Sequence, residues 1–302
     1  MRDLKGLFVT GTDTGVGKTL LTCSIIRLLR DQGFDAAGFK PVATGEPIGN
    51  PGDAAAIHEV SGRCEPLEML CPYRLTPPLA PTLAARQEGT ELDIRKIHAA
   101  LSSLCERHNR IIVEGVGGVL VPLDRGTLVV DLALHIGFPV LVVCRAGLGT
   151  INHTLLTLRE LERAGLHVAG IVMNTTCAAD TELADGSREE IERISGRRVI
   201  ATMPYFGSLK QGSIESIVAR EPANYYYTKS TPPPPPFQGG ENYGTNFSTV
   251  PKETGVRDST GFKGESHTPI TNNGLNNPEY LTQAIQALAR QTSVTKLLEL
   301  RK

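Results

Sequence analysis

The stretch Leu7-Phe8-Val9-Thr10-Gly11-Thr12-Asp13-Thr14-Gly15-Val16-Gly17-Lys18-Thr19-Leu20-Leu21 decides the fold. Leu7-Phe8-Val9 is a short apolar run of the kind a buried strand needs. Leu20 to Leu29 carries apolar residues at helical spacing. Between them lies a glycine-rich turn ending in Gly17-Lys18-Thr19. Strand, glycine turn and helix in that order make a phosphate-binding loop. Backbone N–H groups at the start of a helix carry partial positive charge and bind phosphate oxygens. Gly15 and Gly17 let the backbone curl close around the anion. Lys18 brings a point charge to the β- and γ-phosphates, and the Thr19 hydroxyl is placed to ligate Mg²⁺. Thr12 stands where the usual pattern has glycine, so the loop counted from Gly11 is one residue longer.

Downstream, Gly33 reads as the helix stop. The strand Ala36-Ala37-Gly38-Phe39 then delivers Lys40-Pro41-Val42-Ala43-Thr44-Gly45. Lys40 thereby sits at the C-terminal edge of a strand, where open α/β sheets bind ligands. Asp53 precedes a short helical run and reads first as its cap, with metal ligation as the alternative. Pro77-Pro78-Leu79-Ala80-Pro81 argues against a helix and for an extended segment. A helix is expected from Asp93 to Arg107, with Ile94, Ile97, Leu101 and Leu104 on one face. Arg110-Ile111-Ile112-Val113-Glu114-Gly115-Val116-Gly117-Gly118 reads as a buried strand ending in a carboxylate and a glycine-rich turn. In nucleotide-hydrolysing folds an acid at such a point holds Mg²⁺.

The same unit repeats. Pro139 to Cys144 is a strand, and Gly149-Thr150-Ile151-Asn152-His153 opens a helix to about Arg163, with Thr150 as its cap and its free N–H groups as an anion site. Val168 to Asn174 is the next strand. The Asn174 amide reads either as a purine-edge contact or as a turn residue. A helix through about Arg193 and a strand Arg198 to Thr202 lead into Met203-Pro204-Tyr205-Phe206. Strands alternating with helices mean a parallel sheet covered on both faces.

Composition bounds the rest. The 302 residues are 40% hydrophobic with a formal charge of −1, which favours one large α/β domain or one domain plus an appendage and gives no support for nucleic-acid or membrane-surface binding. No apolar run approaches the roughly 20 residues of a membrane span. The early first strand argues against a secretory signal. Cys23, Cys64, Cys71, Cys105, Cys144 and Cys177 show no Cys-x-x-Cys spacing. Free thiols in a reducing cytoplasm are the expectation. The expected domain spans 1–222. A Pro/Gly/Asn-rich stretch at 223–277 is expected to be a disordered or extended linker. An amphipathic helix is expected at 278–302, either packing back on the parent domain or binding a partner.

Gly11 to Thr19 with its extra residue, Gly38-Phe39-Lys40-Pro41-Val42-Ala43-Thr44-Gly45, Val113-Glu114-Gly115-Val116-Gly117-Gly118 and Gly149-Thr150-Ile151-Asn152-His153 together resemble the dethiobiotin synthetases. These are ATP- and Mg²⁺-dependent enzymes of biotin biosynthesis. The resemblance covers the domain at 1–222. It implies an α/β fold of P-loop NTPase type: a mostly parallel sheet with helices on both faces, here followed by a low-complexity C-terminal tail. It also implies a ligase reaction. One amine of 7,8-diaminononanoate takes up CO₂ as a carbamate. The carbamate attacks the γ-phosphate of ATP to give a carbamic–phosphoric anhydride. The second amine closes the cyclic urea, releasing phosphate beside ADP.

The implied roles follow residue by residue. Thr14, Gly15, Val16, Gly17, Lys18 and Thr19 cradle the phosphates, with Gly115, Val116 and Gly117 along the nucleotide. Thr19, Asp53 and Glu114 hold Mg²⁺, which moves Asp53 from cap to ligand. Lys18 and Lys40 flank the transferring group, Lys40 as the catalytic residue. Thr44 contacts the substrate. Asn174, Thr175, Pro204, Tyr205 and Phe206 surround adenine. Thr150, Ile151 and Asn152 of a neighbouring subunit bind the substrate carboxylate, which implies a homodimer. Gly15 lacks the acidic side chain that some members carry, and residues 224–302 match no part of the family pattern. Two other readings are a related ATP-dependent ligase of cobyrinate amidotransferase type and a partitioning-type ATPase switch that dimerises on ATP. The first needs a glutaminase domain for which the tail has no room. The second commonly carries an additional lysine where this loop has Thr12-Asp13-Thr14.

Overall fold

The computed structural model describes residues 5–46, 52–205, 286 and 288–290, all within one compact unit. In chain order its elements begin with β1 (Lys5–Gly11), α1 (Lys18–Asp31), β2 (Ala36–Phe39), β3 (Val42–Thr44) and α2 (Asp53–Val60). There follow α3 (Leu67–Leu70), β4 (Tyr73–Leu75), α4 (Pro81–Gln87), α5 (Ile94–Arg107) and β5 (Arg110–Gly118). Then come α6 (Val129–Ile136), β6 (Val140–Arg145), α7 (Thr150–Arg163), β7 (Val168–Asn174), α8 (Thr181–Ser195) and β8 (Val199–Met203).

Six strands form one sheet in the order β2-β5-β1-β6-β7-β8, and every neighbouring pair is parallel. Successive residues of a strand point to opposite faces. Leu7, Phe8 and Val9, Ile111 to Val113, and Val140 to Val143 are all fully buried. Both faces of the sheet are therefore covered, as a parallel sheet requires. Helix α5 forms where the 3.6-residue spacing foretells it. Ile97, Leu101 and Leu104 are buried on its inner face, and the Asp93 carboxylate accepts the Arg95 N–H at 2.9 Å as its cap.

Register sets the site. Phe39 pairs with Val113, and Val9 pairs with Glu114. Lys40, one step past Phe39, is thereby brought level with Glu114, with the end of β1 on the far side. The order of the strands places the phosphate loop, Lys40 and Glu114 along the carboxyl edge of adjacent strands.

Two expectations need correcting, and two features were not foreseen. Pro81 does not exclude a helix: it opens α4 at its first turn, where a missing N–H costs nothing. Glu114 does not end its strand, because β5 continues to Gly118. Val42–Thr44 and Tyr73–Leu75 pair in parallel as a small separate ladder. Helix α6 escaped notice because a short apolar cluster, Val129, Val130, Leu132 and Ala133, has too little length for its period to be read. Its ends are nonetheless encoded: Asp131 accepts the Leu128 N–H at 2.8 Å, and Gly137 stops it at φ 71°.

Phe206 and residues 223–277 lie outside the described residues. Within the expected helix at 278–302, Gln286 and residues 288–290 are described and helical. Leu288 is fully buried in the same apolar core as Leu7 and Ile25.

Candidate active site

The loop between β1 and α1 is built around two left-handed glycines, Gly15 at φ 73° and Gly17 at φ 99°, a region that side chains rarely enter. Lys18 is buried, and its Nζ donates to the Asp13 carbonyl at 2.8 Å. Burial, with Lys40 nearby, pulls its pKa down to about 8. Asn174 locks the loop from the end of β7. Its Nδ2 donates to the Val16 carbonyl at 3.0 Å. A Cβ on Gly17 would lie 2.2 Å from that same nitrogen. Sequence reasoning saw Asn174 as a base contact or a turn residue and missed this clamp, which spans 158 residues of sequence. The other end of the amide, Oδ1, is buried and finds no hydrogen-bond partner among the described residues. It remains an acceptor at the site's edge.

Lys40 is the centre of the polar cluster. Helix α3 holds its backbone, through Lys40 N–H to Leu70 O at 2.8 Å. Its Nζ donates to Asp53 Oδ2 at 2.9 Å and to Glu114 Oε1 at 2.5 Å. Glu114 Oε1 also accepts the Thr19 hydroxyl at 2.8 Å. Burial works against the charge on Lys40, but Asp53 and Glu114 outweigh it and hold the ammonium above the ordinary lysine range. Burial likewise opposes the charge on Asp53. There Lys40 wins, with Thr19 also donating, and the carboxyl stays below its usual range. Glu114, with no exposure at all, is pushed up by burial against the pull of Lys40. The proton of the Lys40–Glu114 pair belongs to Lys40, which two carboxylates serve.

The structure brings Lys18, Thr19, Lys40, Asp53 and Glu114 together. Asp53 is not the cap of α2. It is the first helical residue after Gly52, and its side chain bonds Lys40 instead. The cap of α7 is Gly149 at φ 89°, not Thr150. Thr150 is buried, with its hydroxyl 3.5 Å from that of Thr154. Ile151 is half-buried, and Asn152 is exposed at the helix start. Thr44 is half-buried at the end of β3. Gly117 takes φ 60°, and a Cβ on it would meet Val121 at 2.7 Å, with the Thr14 hydroxyl at 3.7 Å; a Cβ on Gly115 would meet Phe8 and Val129 at 3.2 and 3.3 Å. Val116 is half-buried between them. Thr175 is buried, and its N–H bonds Met203 O at 2.9 Å. Pro204 and Tyr205 are exposed beyond β8.

A family model described as "AAA domain" matches residues 5–213. The chain is 49% identical over 202 residues to "ATP-dependent dethiobiotin synthetase BioD" of Anaeromyxobacter dehalogenans (strain 2CP-C), covering 67% of this chain and 91% of that one. The chain belongs to the dethiobiotin synthetase family. A synthetase of the same name from Bacillus cereus (strain ATCC 14579) is 36% identical over 204 residues, covering 67% of this chain and 84% of the relative. Among solved structures, a chain of the MinC:MinD cell division protein complex of Aquifex aeolicus is 16% identical, with a TM-score of 0.46 over 68% of this chain and 83% of that one.

The synthetase family implies Mg²⁺, and the donor set fits a hard cation. Thr19, Asp53 and Glu114 supply only oxygen, and Glu114 Oε2 is buried without a partner among the described residues. Charge points the same way. Lys18 and Lys40 balance Asp53 and Glu114, so a triphosphate would bring negative charge that these side chains alone leave uncompensated. No helix among the described residues is long and apolar enough to cross a membrane.

Proposed function

We propose that this chain closes 7,8-diaminononanoate and CO₂ to dethiobiotin in biotin biosynthesis, converting ATP to ADP and phosphate. The observation that carries the mechanism is the buried Lys40 ammonium, held by Asp53 and Glu114 beside the phosphate loop. The difficult step brings a carbamate anion up to a polyanionic phosphate. Its catalysis rests on positioning and fixed positive charge. Lys18 serves the phosphate side from the loop, and Lys40 serves the carbamate and the transferring group. With its pKa held high, Lys40 acts as a fixed charge and not as a base. Thr14 to Thr19 orient the phosphates, and Asn174 Oδ1 and Thr175 face adenine with Pro204, Tyr205 and Phe206. Thr19, Asp53 and Glu114 would hold Mg²⁺, which neutralises and orients the triphosphate when bound. Thr44 contacts the diamine. The second amine then attacks the carbamic carbon and expels phosphate.

The substrate carboxylate is assigned to the N-terminus of α7, at Thr150, Ile151 and Asn152 of a second protomer in a cytoplasmic homodimer. The test supplies purified protein with diaminononanoate, bicarbonate, Mg²⁺ and ATP. Dethiobiotin and phosphate are expected in equal amounts. Phosphate release indifferent to the diamine would overturn the reading in favour of a switch ATPase.

A further inference from the structure

Glu46 follows β3 and belongs to none of the groups assigned above. Its N–H donates to Leu75 O at 3.2 Å, which extends the β3–β4 ladder by one bond. Its side chain reaches α2, where Oε1 accepts the Ala54 N–H at 2.9 Å. Asp53 is the first residue of that helix and Ala54 the second. The first N–H groups of a helix have no partner inside it, and Gly52 at the cap has no side chain to offer one. Glu46 fills that place from eight residues upstream, and a carboxylate there also suits the helix dipole. Gly52 makes the room. A Cβ on it would lie 2.4 Å from Glu46 Cδ and 2.5 Å from Oε1, so any side chain there would push the Glu46 carboxylate out of its place.

We propose that Glu46 is a positioning residue: it fixes the first turn of α2 and so aims Asp53 at Lys40 and the metal site. This rests on the reading of Asp53 as a Mg²⁺ ligand. Glu46 touches no reacting atom. It ties the segment bearing Thr44 to the helix bearing Asp53, so that substrate contact and metal ligand keep one spacing.

The test titrates Mn²⁺ into the full chain with ADP and follows loss of the free-Mn²⁺ paramagnetic resonance signal. Glu46→Ala should weaken Mn²⁺ binding by about 10-fold, the low end of what losing a partner bonded directly to a metal ligand costs, because Glu46 acts on Asp53 through the backbone of Ala54. Its kcat should return at saturating Mg²⁺, because no reacting group is removed. Gly52→Ala, with Glu46 intact, should weaken Mn²⁺ in the same way. Glu46→Gln keeps an oxygen for the Ala54 N–H and should bind Mn²⁺ nearly as the parent does. A Gln variant as weak as the Ala variant would overturn positioning in favour of bare charge. Normal Mn²⁺ binding in E46A and G52A beside weak binding in Asp53→Asn would overturn the role of Glu46 alone. Normal binding in D53N would overturn the metal reading itself. Should E46A not fold, Glu46→Asp, one methylene too short to reach Ala54, takes its place: weakened Mn²⁺ binding is expected there, and normal binding overturns the proposal.

Discussion

At Lys40, two carboxylates outweigh the cost of burying one ammonium, and the product is a positive charge that stays protonated at any working pH. Lys40→Ala should therefore lower kcat at least ~10²-fold while a non-hydrolysable ATP analogue still binds, since the lost contact matters most in the transition state. Unchanged turnover would remove Lys40 from the mechanism. Gly17 makes a different point. Its φ of 99° and the 2.2 Å approach of Asn174 Nδ2 leave no space for a methyl group. Gly17→Ala should abolish nucleotide binding by calorimetry, whereas a fold-wide defect would also broaden the thermal transition. The thiols separate by access: burial raises all three, Cys144 to about 11 and Cys71 to about 12, but of these Cys64 alone is exposed. Iodoacetamide at pH 8 should label Cys64 and spare Cys71 and Cys144 in peptide mass spectra. Equal labelling of all three would mean that β6 and the segment after α3 open readily.

Elements were legible wherever a period had room to repeat. Helix α5 was read almost to the residue because Ile97, Leu101 and Leu104 recur over a full 14-residue helix behind a capping aspartate. Leu104→Ala should cost about 2–5 kcal/mol in denaturant unfolding, the range for a fully buried leucine; a loss well under 1 kcal/mol would deny α5 its place in the core. Helix α6 and the β3–β4 ladder were too short for such reading. The site divides in the same way. The phosphate loop was legible because its chemistry is contiguous in the chain and each residue type has a stated job. Glu114 was singled out from the sequence but misplaced as a strand end, since glycines after it looked like a turn. Asn174 on Val16 and Glu46 on Ala54 were invisible. Each joins distant backbone to a side chain with several ordinary uses, and only the parallel register and the path of α2 bring the partners together.

At the scale of the whole molecule, the core of the α/β domain takes in a residue far beyond the family match. The family model ends at residue 213, yet Leu288 is fully buried in the main core cluster, with Ala289 packed against it. Of the two uses foreseen for a terminal helix, the burial of Leu288 favours packing on the parent domain over holding an apolar face for a partner. Burial of a whole leucine side chain contributes roughly 1.5–3 kcal/mol by transfer, and truncating it adds the cost of the cavity. Leu288→Ala in the full chain should thus lower unfolding free energy by about 2–5 kcal/mol and leave kcat unchanged, because Leu288 is none of the residues assigned to phosphates, metal or substrate. A chain ending at Arg220 should lose at least as much, since it uncovers the same apolar surface. If both variants unfold at the denaturant concentration of the parent, the tail contributes nothing to the core and Leu288 is free to serve a partner. If only the truncated chain is weakened, the stabilising contact lies elsewhere in residues 221–302.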